Sequence, residues 1–98
     1  MMGKSYAIKI TVEKILEGGL CPLGLREGDT FIVKDVKIPK DFCSWAFQSI
    51  YPFITALRFG GEFPWEEKGV SRVCCPDPNN PVVFTLKRVK LKPRQRDS

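Results

Sequence analysis

The sequence predicts an α+β fold, a small antiparallel sheet of about four strands packed against one kinked or broken helix. Two observations carry this. Side-chain character alternates with a period of two over residues 6–16, and strand-like runs recur at 30–36, 70–75 and 82–91. Between them lies a single stretch whose apolar residues recur on one helical arc. Turn-rich connectors separate these segments, which suits one helix laid on an antiparallel sheet.

The first strand is read over residues 6–16, where Tyr6, Ile8, Ile10 and Val12 point one way and Lys9, Thr11 and Glu13 the other. Glu17-Gly18-Gly19 ends it, and the turn-rich run from Cys21 to Asp29 follows. A second strand runs from Thr30 to about Val36, rich in β-branched and aromatic residues, and pairs antiparallel with the first. Asp41 is the expected N-cap of the helix, because its carboxylate can accept free N–H groups of the first turn. Phe42, Ala46, Ile50, Phe53 and Leu57 fall on one arc, flanked by Trp45 and Ile54. Pro52 removes a backbone donor and is expected to kink or split the helix, and Gly60-Gly61 supplies its stop. Val70–Cys75 and Val82–Leu91 read as a hairpin across the turn-rich loop Pro76–Pro81. The expected layout is a single domain over residues 1–91 and a basic, disordered tail over 92–98.

The chain has 98 residues, enough for one domain with a modest core. It is 43% hydrophobic and 28% charged, which argues against disorder. No apolar run approaches the ~18–20 residues that cross a bilayer, and residues 1–6 lack an apolar signal segment. A cytoplasmic location with reduced thiols and no membrane partner is therefore expected. Net charge is +5, but residues 1–86 carry ten Lys/Arg and ten Asp/Glu. The excess lies in Lys87, Arg88, Lys90, Lys92, Arg94 and Arg96 against Asp97 alone. A neutral body is not the footprint of a dedicated nucleic-acid binder. The tail could hold phosphate in a salt-dependent way, although a solvated solubility tail is the favoured reading.

Cys21, Cys43, Cys74 and Cys75 are the candidate chemical site. Cys21 lies in a Cys-Pro turn, Cys43 in the first turn of the helix, where N–H groups and the helix dipole favour a thiolate, and the adjacent pair at a strand end. Three uses compete. As metal ligands, four thiolates without histidine suit zinc or an iron–sulfur cluster, and three with an outside ligand is an equally good count. The spacing contains no Cys-x-x-Cys pair, and adjacent cysteines in a strand point to opposite faces. As redox thiols, Cys43 would attack and another cysteine resolve; with no histidine in the chain, Cys–His catalysis is excluded. The third use is as small buried residues. Disulfides would allow three connectivities, of which a vicinal Cys74–Cys75 ring is strained.

No phosphate-binding glycine loop, catalytic carboxylate pair or nucleophile elbow is present. Glu66 and Glu67 read as a solvated turn, and Arg58 and Arg72 as ion-pair partners or anion ligands. Trp45 is expected in the core and Trp65 at an interface or pocket wall. A homodimer is expected, because the chain is small and its aromatic loop needs cover.

The order Cys21-Pro22, Phe42-Cys43-Ser44-Trp45-Ala46, Gly60-Gly61-Glu62-Phe63-Pro64-Trp65, Cys74-Cys75-Pro76-Asp77 and Pro81-Val82-Val83-Phe84 resembles a family of short, uncharacterised prokaryotic cysteine-containing proteins. The resemblance spans about residues 6–91. It implies a stand-alone cytosolic domain and draws attention to Cys21, Cys43, Cys74 and the Gly-Gly-x-Phe-Pro-Trp loop as one site. It implies no activity or ligand. The leading functional reading is a cysteine-lined site that binds a metal ion or iron–sulfur cluster. The alternatives are a non-catalytic module that touches RNA or an acidic partner through the basic C-terminus, and a thiol-redox protein.

Overall fold

The computed structural model describes residues 6–89. Four strands, β1 (Ala7–Ile15), β2 (Thr30–Val33), β3 (Val70–Cys74) and β4 (Val82–Val89), form one antiparallel sheet in the order β2-β1-β4-β3. One helix, α1 (Ser44–Arg58), packs on a single face of it. The predicted fold class and both predicted antiparallel pairings are present. The pairing of β1 with β4 makes the two longest strands the centre of the sheet. The expected tail lies outside the described residues, as do residues 90 and 91 of the expected last strand.

The period-two pattern has a simple cause. Ile8, Ile10 and Val12 of β1, Val33 of β2 and Val82, Phe84 and Leu86 of β4 project to the helix side and are buried. Lys9, Thr11, Thr85 and Lys87 project to the other side. A sheet covered on one face requires this alternation. Glu13 faces outward in phase with Lys9 and Thr11 and meets Arg72 and Thr85 there, and the register of β1 on β4 shifts between Val12 and Lys14, so a bulge brings Lys14 to the same face. β2 is shorter than expected and stops at Val33, leaving Val36 and Ile38 exposed beyond it.

Two expectations about the helix are corrected, and a third is narrowed. Its N-cap is Cys43 rather than Asp41. Asp41 adopts a left-handed φ of 65° in a turn where the Phe42 N–H bonds to the Pro39 carbonyl at 3.2 Å. That turn drives Phe42 into the core against Phe31, Phe47 and Phe84, at centroid distances of 4.9, 5.9 and 5.4 Å. The helix therefore starts two residues later. Pro52 neither splits nor ends it, because Pro52 and Gln48 lie on the exposed side and water can satisfy the carbonyl left without a donor. Trp45 is 53% exposed rather than core, since the buried arc runs through Ala46, Phe47, Ile50, Ile54 and Leu57.

The outer edge of β3 is covered by its own preceding loop. The Val70 N–H bonds to the Glu67 carbonyl at 3.1 Å and the Arg72 N–H to Glu66 Oε2 at 2.9 Å. Glu66 is therefore an edge plug rather than a merely solvated turn residue, and it blunts a site of strand addition. Ser71, on the buried face of β3, has a hydroxyl with no hydrogen-bond partner among the described residues. Burying such a group costs about 1–3 kcal/mol. Ser71→Ala is expected to raise the urea midpoint, with a stability gain of about 1 kcal/mol; an equal loss would show that the hydroxyl is satisfied in solution.

Candidate functional site

A pocket of about 320 Å³ opens where the N-terminal end of α1 meets the Cys21 turn and the loop between β3 and β4. Its wall is almost wholly apolar. Phe84, Val82, Leu25 and Ala46 form the buried part, and Leu23 and Trp45 stand exposed at the mouth. Three of the four cysteines, Cys21, Cys43 and Cys75, line it.

Each thiol is held by a different local device. The Cys21 turn closes through a bond from the Gly24 N–H to the Cys21 carbonyl at 2.9 Å. Gly24 has φ of 95°, a conformation that glycine adopts without a steric cost. Cys43 has extended backbone as the cap of α1, and its Sγ accepts the Ala46 N–H at 3.5 Å. Cys75 continues the β3–β4 ladder by one residue, with its N–H on the Val82 carbonyl at 2.9 Å. Its Sγ accepts the Val82 N–H at 3.2 Å and donates to the Asn80 carbonyl at 3.7 Å.

Cys74 is the exception. It pairs with Val83, one step out of phase with buried Phe84, and so sits exposed on the outer face of the sheet. Strand alternation separates the adjacent pair, as their positions in sequence imply. Partial desolvation, reinforced by the neighbouring Cys75 thiol, pushes the Cys74 thiol up from its usual range. All four cysteines are free thiols. Among the described residues, no three His, Cys, Asp or Glu side chains lie close enough together to hold a metal ion. The site that joins Cys21, Cys43 and Cys75 is thus a shared pocket wall rather than a ready-made ligand cluster.

No family model, curated protein or solved structure matches this chain. The resemblance to short prokaryotic proteins therefore rests on the order of its motifs, and the functional reading rests on the pocket.

Sequence reasoning missed the residue that binds two walls of this pocket together. Asn80 Oδ1 accepts the Leu20 N–H at 3.1 Å, and its Nδ2 donates to Asp77 Oδ2 at 3.4 Å. Asp77 Oδ1 in turn accepts the N–H groups of Asn79 and Asn80 at 2.9 and 3.3 Å, shaping the loop locally. The contact is close: a Cβ on Gly19 would stand 3.1 Å from the Asn80 Cα and 2.5 Å from its Oδ1. In sequence, Asn79-Asn80 reads only as part of a turn. Its 60-residue reach to Leu20 leaves no local signal. Asn80→Ala should cost about 1 kcal/mol in urea denaturation, the typical value of such a bond. It should also speed amide hydrogen exchange at Leu20 and Cys21; unchanged exchange there would show that Asn80 does not fasten the turn.

The Gly-Gly-x-Phe-Pro-Trp loop lies apart from the pocket lining. Phe63 packs on Phe53 of α1 and on Trp65, at centroid distances of 5.7 and 5.4 Å, and Trp65 is 69% exposed. Arg72 forms a two-pronged ion pair with Glu13 at 3.1 and 2.9 Å, and Arg58 is buried with its guanidinium 5.0 Å from the centre of the Phe59 ring. No helix among the described residues is long and apolar enough to cross a membrane.

Proposed function

We propose that this protein is a small-ligand-binding domain whose site is the cysteine-walled pocket at the start of α1, and that its ligand is a small, largely apolar molecule. One observation carries the reading: an open pocket with apolar walls sits beside the one helix start of the fold, lined by residues from three separate segments. Its volume falls at the lower end of the range usual for small-molecule sites. Thiols suit such a wall, since a neutral cysteine behaves as a small, polarisable apolar group.

Toluene is a suitable probe. Titrated into isotope-labelled protein, it should shift the amide signals of Cys21, Leu25, Ala46 and Val82, with a Kd in roughly the submillimolar range for so few atoms. Signals of β2 should stay in place. Shifts spread evenly over the protein, or none at saturating toluene, would overturn the reading.

A second reading has its own support. Three thiols face one space, and two of them accept backbone N–H groups, the kind of contact that stabilises metal-bound thiolates. On this reading Cys21, Cys43 and Cys75 draw together around zinc or an iron–sulfur cluster, with a fourth position open and Cys74 uninvolved. Anaerobic purification with metal analysis tests it, followed by titration with cobalt(II) as a spectroscopic substitute for zinc. Thiolate–cobalt absorption that disappears in C21S, C43S and C75S but persists in C74S would support it. Metal-free protein without such absorption would sink it.

A further inference from the structure

We propose that the outer face of the sheet, opposite α1, is a docking surface for the phosphate backbone of a single nucleic-acid strand. Lys9 and Lys87 stand directly opposite each other on the central strands β1 and β4, both exposed. Cross-strand partners lie within about 5.5 Å at Cα, and like charges so placed repel. Their row across the sheet is completed by Ile32 and Val70, which offer no compensating carboxylate. Exposed Lys14 projects from the same face after the bulge, opposite Val83.

The neighbouring row reads Thr30, Thr11, Thr85 and Arg72. Threonine hydroxyls and cationic side chains are the groups that contact phosphate and sugar. Glu13 is the one acidic residue at a strand position of this face, and Arg72 and Thr85 already engage it, with the Thr85 hydroxyl donating at 2.7 Å. Nine of the ten acids in residues 1–86 lie off the strands, while this face carries Lys9 and Lys14 from that range and Lys87 from beyond it. Along the chain, β4 leads into residues that add Lys90, Lys92, Arg94 and Arg96.

Three features identify the occupant. Its charge must be negative and repeated, to answer an array of cations rather than one. The face lies opposite α1, spans about 14 Å between its outer strands at ~4.8 Å per step, and among the described residues carries no helix that could enter a duplex groove. No strand position on it carries an aromatic side chain, so binding is through the backbone and tolerant of base sequence.

The test is fluorescence anisotropy of the full chain with a labelled oligouridine of about 12 nucleotides, within the range that small single-strand-binding domains cover. Binding should weaken as salt rises. K9Q/K87Q should weaken it roughly tenfold near 0.1 M salt and reduce the log–log salt slope by about 1.4, at ~0.7 per phosphate contact. K40Q, outside the sheet face, should leave both unchanged. The proposal is overturned if K9Q/K87Q matches the parent protein while replacing the four basic residues beyond β4 with glutamine abolishes binding. It is equally overturned if polyglutamate of matched charge competes as well as the RNA, which would indicate an acidic protein partner. A circular-dichroism melt of each variant separates lost contact from lost fold.

Discussion

Arg88→Ala is expected to lose about 3 kcal/mol of stability, lowering the urea midpoint by about 2 M for a domain of this size. Arg88 joins three parts of the fold. Its Nη1 donates to the carbonyls of Leu57 and Gly61, each at 2.9 Å, and its Nη2 forms an ion pair with Glu62. Its guanidinium also lies 5.1 Å from the centre of the Tyr6 ring. The Leu57 carbonyl belongs to the last turn of α1, where carbonyls lack helical partners. One planar side chain on β4 thus caps the helix and fastens it to the sheet.

Removing it takes the side-chain donor from the Gly61 carbonyl, leaves the Leu57 carbonyl with the Gly60 N–H at 3.2 Å, and leaves Glu62 without its counter-ion. Arg88→Lys should recover little, because an ammonium on a flexible stem cannot reproduce the fixed fork. Full recovery by lysine would show that charge alone matters. Glu62 adds a pH dependence. Its Oε1 accepts the Gly69 N–H at 2.7 Å, and this bond first, with Arg88 behind it, holds the carboxyl below its usual range. A lowered carboxylate pKa stabilises the fold at pH values above the unfolded value of ~4.3, and that contribution is lost as pH falls through the lower folded value. Glu62→Gln should flatten the acid limb of a stability-versus-pH curve; an unaltered limb would assign it to other groups.

Phe84→Ala should have a comparable or larger effect, about 3–5 kcal/mol, or roughly 20 °C in Tm. Phe84 is fully buried at the centre of β4, packs against Phe42 and lines the pocket. Its ring joins the sheet, the helix start and the pocket, so truncation opens a cavity that continues into the pocket. Phe84→Leu should cost far less and leave a folded protein with a wider site. Differential scanning calorimetry on both variants checks this. A Phe84→Ala protein that melts within a few degrees of the parent would mean that the surrounding aromatic cluster collapses into the gap.

The two residues were unequally legible in the sequence. Phe84 lies in the apolar first half of a run that reads as a strand, which marks it as a core candidate. Arg88 is adjacent to Lys87 and read as the beginning of a basic run. The alternation itself distinguishes them, because position 88 shares the inward phase of Val82, Phe84 and Leu86 while position 87 faces out. An inward arginine needs acceptors, and Leu57, Gly61 and Glu62 are 26 to 31 residues away. The same applies to the helix start. Asp41 has the better intrinsic capping side chain, yet burial of Phe42 among three other aromatic rings outweighs a cap worth about 1 kcal/mol.

The sequence by itself determined the α+β class, the antiparallel pairing of its hairpin partners, the faces of β1 and the separation of Cys74 from Cys75. Each is a consequence of a local period, two for a strand and 3.6 for a helix, read within a few residues. Only the tertiary structure decided that β1 lies beside β4, that Cys21, Cys43 and Cys75 share one pocket wall, and that Lys9 faces Lys87. Those are contacts between segments twenty to eighty residues apart. They are set by which faces bury together and by the bulge at Glu13, and no local pattern encodes them.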